Sequence, residues 1–132
     1  MTVISIGPKP ETQRVRQEDM VSGVTVYVAA PQPADGTFRI SVRHLCSDIY
    51  FSRQGLPHIK YRVGRNKEGD MSLRDAGIIP NNYNFNATFF SEDDARDYVL
   101  RIINRQFSPF ELRRFASLLE KKSFSFSVPK KV

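Results

Sequence analysis

One cysteine, Cys46, two histidines and no apolar run near the roughly 20 residues of a membrane span are the first things the sequence withholds. A single cysteine excludes an internal disulfide and, with no spanning segment, points to a reducing, cytoplasmic setting. Residues 1–8 lack the basic start and long apolar stretch of a signal peptide. No glycine-rich phosphate loop is present, since Gly64, Gly69 and Gly77 stand alone as turn glycines. His44, Cys46, Asp48 and His58 lack the tight paired spacing of a zinc site. His44 and Cys46 lie two apart on one predicted strand, but a nucleophile pair also needs an orienting group and an oxyanion donor. They read better as a strand-end histidine and a buried thiol. Glu92, Asp93 and Asp94 open a predicted helix, where their charge meets the positive end of the dipole. These absences argue against an enzyme, a metal site and a bound cofactor.

What remains is ordinary globular composition: 132 residues, 40% hydrophobic and 26% charged. That is one domain, residues 1–132, with 1–23 partly irregular and 129–132 a tail. The richest local pattern spans residues 83–122. Tyr83, Phe85, Ala87 and Phe89 alternate with polar residues and predict a strand. Ser91 then caps a helix whose Ala95, Val99, Ile102 and Ile103 form an apolar stripe, ending near Phe107. Ser108, Pro109 and Glu111 begin a second helix with a capping box, and Leu112, Phe115, Leu118 and Leu119 give it an apolar face.

Upstream, residues 24–30 and 37–45 alternate and flank the turn residues 31–36, which predicts an antiparallel hairpin. Residues 2–6, 47–52 and 59–63 predict short strands, 65–70 a polar turn, and 72–76 one helical turn ended by Gly77. Residues 123–128, strictly alternating, predict a last strand. The fold class is α+β: a mostly antiparallel sheet with two C-terminal helices packed on one face.

Charge is the informative excess. Twenty Lys and Arg face fourteen Asp and Glu, for a net charge of +6, and the predicted pI is about 9.7. Such a balance favours anionic partners. Arg39, Arg43, Lys60 and Arg62 fall on the polar phases of two predicted strands, and neighbouring strands would merge them into one basic face. Arg101 and Arg105, four apart, predict a shared helix face; Arg113 and Arg114 lie on the polar side of the second helix. Arginine's planar fork grips phosphate or stacks on a base. Asp97, four residues before Arg101, is a competing partner for it. Asn82, Asn84 and Asn86 line the polar phase of the Tyr83 strand, where an amide offers both donor and acceptor.

The layout, a small N-terminal sheet followed by two C-terminal helices, resembles the phage anti-Thoeris sponge proteins. That resemblance implies a pocket for a cyclic ADP-ribose signal, with Asn84, Arg101 and Arg105 as its ligand contacts. Residues 90–98 after a small sheet also look like the strand-to-helix junction of AP2-type DNA-binding domains, which implies a basic sheet laid in a major groove.

The expectation is a non-enzymatic basic module for a phosphate-bearing ligand, nucleic acid first and a small cyclic nucleotide second. A protein–protein inhibitor or structural subunit is the third reading. No membrane partner is expected, and homo-oligomerisation is left open.

Overall fold

Apolar–polar alternation, turn chemistry and two serine caps set most of the elements of the chain. The computed structural model describes residues 4–5 and 14–120. In order these are β1 (Ile4–Ser5), a 3-10 turn (Gln17–Asp19), β2 (Thr25–Gln32), β3 (Thr37–Leu45), β4 (Tyr50–Phe51), β5 (Pro57–Val63), β6 (Lys67–Ser72), β7 (Ala87–Phe89), α1 (Glu92–Ile103), β8 (Gln106–Phe107), α2 (Pro109–Arg114) and α3 (Ala116–Glu120). The main sheet runs β4–β5–β3–β2–β7, with β6 added on β5, and each of its pairings is antiparallel. β1 pairs β8 in parallel, tying Ile4 to Gln106.

Paired residues share a face, so register decides which core each residue joins. Tyr27, Ala29, Ile40, Ala87 and Phe89 point to the helix side and pack with Tyr98, Val99, Ile102, Phe107, Phe115, Leu118 and Leu119. Val26, Val28 and Leu45 point the other way and pack with Val15, Met20, Ile59, Met71, Leu73 and Ala76. The sheet is thus covered on both faces around β2. The second cover comes from the loops before β2 and after β6. Gly77 allows that second cover to close. Its φ is +74°, and a Cβ there would lie 1.8 Å from the Asn86 carbonyl oxygen.

The helix caps form as their sequence implies. Ser91 Oγ accepts from the Asp94 amide at 3.1 Å. At Ser108 the capping box is complete, with Ser108 Oγ accepting from the Glu111 amide and Glu111 Oε1 from the Ser108 amide. Both helices are shorter than predicted. α1 stops at Ile103, and Arg105 turns the chain at φ 61° into β8. The second helix breaks at Phe115, whose ring lodges 5.0 Å from that of Phe85 and 6.4 Å from that of Phe107.

Other elements shift too. Of the predicted strand at residues 83–89 only Ala87–Phe89 forms. The asparagines before it satisfy backbone groups themselves: Asn81 Oδ1 accepts from the Tyr83 and Asn84 amides, and Asn84 Oδ1 from that of Asn86. Residues 65–70, predicted as a turn, contain most of β6 because its side chains are matched across to β5. The predicted strand at 123–128 and the tail at 129–132 lie outside the described residues.

Candidate anion-binding groove

β5 and β6 form a hairpin that meets β3 at only two register pairs, His44↔Arg62 and Leu45↔Tyr61. Beyond them the strands part, leaving residues 37–43 of β3 without a strand neighbour on that side among the described residues. A hollow of about 440 Å³ lies in the fork, with Ile40, Val42 and Arg43 on one wall and Tyr61, Val63 and Lys67 on the other. A second hollow of about 470 Å³ adjoins it at the hairpin tip, lined by Arg62, Arg65, Asn66, Lys67 and Glu68.

Register also corrects the basic face expected from the sequence. Because Leu45 pairs with Tyr61, Arg39 and Arg43 share the Tyr61 face, whereas Lys60 and Arg62 point to the opposite side. The two pairs of cations differ in company. Lys60 sits across from Asp70, and Arg62 across from Glu68 at an Nε–Oε2 distance of 3.5 Å. Lys60 also stands 5.9 Å above the Tyr50 ring, beside the Tyr50–Asp70–His58 hydrogen-bonded cluster. Tyr50, then burial and His58, set the Asp70 carboxyl, which ends below its ordinary range.

Arg43 has no such acid among the described residues. Its guanidinium stacks 4.4 Å from the Tyr61 ring centre. Nη1 donates to the Met71 sulfur at 2.9 Å, and Nε is buried with no hydrogen-bond acceptor. Burial pulls its pKa below the usual arginine range; Tyr61 opposes this and neighbouring Arg39 adds to it. The stack is possible because β6 offers Gly69 under Tyr61, where a Cβ would lie 2.5 Å from the tyrosine Cζ. Arg39 is exposed nearby, and Lys67, opposite Val63, shares the Arg43 face.

The other predicted contacts are not brought together. Arg101 lies on α1, but Arg105 is past its end, so the two share no helix face. Arg101 is instead bound to Glu111 by two bonds, Nη1–Oε1 at 2.8 Å and Nη2–Oε2 at 2.9 Å. Arg14 reaches the same carboxylate at 3.1 Å. Both guanidiniums lie over Tyr98, at 5.0 Å for Arg14 and 5.7 Å for Arg101. Burial would raise the Glu111 pKa, but Arg101, the Ser108 amide and Arg14 together lower it to about 2. Asp97, the sequence-level partner, stands 3.8 Å from Arg101 Nε. Arg105 Nη1 donates to the Ile103 carbonyl at 2.9 Å. Asn84 is engaged in the asparagine turn, and Arg113 is exposed. Arg114 donates to the Gly77 carbonyl.

Sequence reasoning missed Arg65, Lys67 and Tyr61 as site residues. The available signal was the basic turn Arg65-Asn66-Lys67 set between two alternating stretches. Among the described residues no group of three or more His, Cys, Asp and Glu side chains is arranged to hold a metal ion.

Fold and groove together define a small α+β protein with a two-sided core and an open basic fork in its sheet. Among the described residues no helix is long and apolar enough to cross a membrane. The chain belongs to the Phage g100-like protein family, whose model matches residues 14–102, and is thus a phage protein. That match takes in the whole β2–β7 sheet, the fork and most of α1. No curated protein and no solved structure matches the chain.

Proposed function

We propose that this phage protein is a non-enzymatic module that holds nucleic acid by its phosphates in the fork between β3 and the β5–β6 hairpin. Arg43 is the observation that carries the reading. A guanidinium withdrawn from water without a carboxylate is costly, and an anionic ligand supplies the missing charge. Lys67 on the opposite wall, Arg65 at the tip and Arg39 on the Arg43 face of β3 extend the positive field along a path that a phosphate backbone can follow. Lys60 and Arg62, already opposed by acids, contribute less.

Sequestration of a small cyclic nucleotide is the second reading. The concavity of the fork, about 440 Å³, favours it. The commitment of Arg101 to Glu111 disfavours the pocket built on Asn84, Arg101 and Arg105. The test is the salt dependence of binding to a labelled oligonucleotide. Log affinity should fall linearly with log salt, and an Arg65→Ala/Lys67→Ala variant should flatten the slope by about 2. An unchanged slope removes the hairpin from the interface. Tight, salt-insensitive binding of a cyclic nucleotide with none of the oligonucleotide would favour the second reading.

A further inference from the structure

We infer that the ligand of the fork is a nucleic-acid strand with unpaired bases. The inference rests on the phosphate-bearing reading above and narrows it. Arg43 is recessed, its guanidinium held between the Tyr61 ring and the Met71 sulfur. A duplex carries its phosphates on the outside of a stiff, convex rod, which cannot enter a fork between two strands. A single strand bends, and it can lower one phosphate to Arg43 and Lys67.

The walls point the same way. Ile40, Val42 and Val63 are apolar, and Val42 and Val63 each remain 37% exposed. Apolar surface beside a cation does nothing for the phosphates of a duplex, whose bases are stacked inside. It is the surface an unstacked base needs, because a base is apolar on its faces. A polar group for a base edge lines the same hollow at Ser41. The fork therefore combines a recessed cation, an apolar slot and a hydroxyl for a base edge within one hollow.

The test uses the full chain and fluorescence anisotropy at one salt concentration. The probes are a short oligothymidylate, a duplex of the same length and thymidine monophosphate. The strand is expected to bind at least about tenfold more tightly than the duplex, the difference one well-placed base supplies. A Val42→Ser/Val63→Ser variant should lose about fivefold or more on the strand. It should keep its weak duplex binding, since the phosphate contacts are untouched. Val63→Ser alone, at the end of β5, serves if the double variant does not fold. Equal or tighter duplex binding overturns the inference, as does a serine variant that binds the strand like wild type. Thymidine monophosphate matching the oligomer overturns the strand but leaves the phosphate reading standing. Binding of none of the three probes at low salt removes both.

Discussion

Two tyrosines carry arginines on opposite sides of the sheet, Tyr98 in the helix-side core and Tyr61 in the other. Arg101 lies 5.7 Å from the centre of the Tyr98 ring, and Arg43 lies 4.4 Å from that of Tyr61. Around Tyr98 the charge is closed. Glu111 is 1% exposed and accepts from Arg101, Arg14 and its own cap, and burial lifts the Tyr98 hydroxyl to about 12. That network joins the segment before β2 to α1 and α2. Around Tyr61 the charge is open, since Arg43 meets a ring and a sulfur but no acid among the described residues. The same residue pair is therefore a structural clasp in one place and a candidate binding point in the other. The difference is whether a carboxylate folds in beside it.

Removing the acid should break the clasp and have the largest effect. Glu111→Gln keeps the shape but leaves Arg101 and Arg14 without the carboxylate between them, and should cost about 3–5 kcal/mol in a urea melt. The same group predicts an acid limb. Its folded pKa of about 2 lies below its ordinary 4.5, so its contribution is complete above about 4.5 and is lost as pH falls towards 2. The variant should lack that component and lose less stability over the same interval. A variant as stable as wild type would mean that the clasp is ornamental.

A smaller effect is expected where the open contact is built. Gly69→Val puts a side chain where the Tyr61 ring lies and must displace the ring, and with it Arg43. The expected cost is about 1–3 kcal/mol in the same melt, with oligonucleotide affinity reduced. Unaltered affinity would show that the position of Tyr61 is irrelevant to binding.

The smallest change in stability should come from Arg43 itself. Arg43→Met removes a desolvated cation that has no acid to abandon, so stability should move by less than about 1 kcal/mol in either direction. Binding to the oligonucleotide should fall nonetheless. A stability loss approaching that of Glu111→Gln would erase the distinction between the two sites.

Much of the fold was legible in the residues. The β2–β3 hairpin, the Ser91 and Ser108 caps, the apolar stripe of α1 and the inward phase of Phe85, Ala87 and Phe89 all followed from neighbours within a few positions, whereas Tyr83, expected on the same face, lies before the strand and is 42% exposed. The failures share a cause. Asparagine side chains at 81 and 84 bond to the local backbone and cut a strand short, which alternation cannot reveal. β6 looked like a charged turn because its partner strand, not its own pattern, makes it a strand.

The sequence by itself determined that this is an α+β chain with an excess of positive charge and two capped helices, because periodicity, capping and charge are properties of short stretches. Tertiary structure decided which arginines are available. Whether Arg39 and Arg62 share a face depends on the β3–β5 register, and a shift of one residue would reverse the answer. Whether Arg101 is bound or free depends on Glu111 and on Arg14, which lies 97 residues from that carboxylate along the chain. A charge is read from one residue, but its counter-charge is found only when distant segments meet in a region with too little water to screen it.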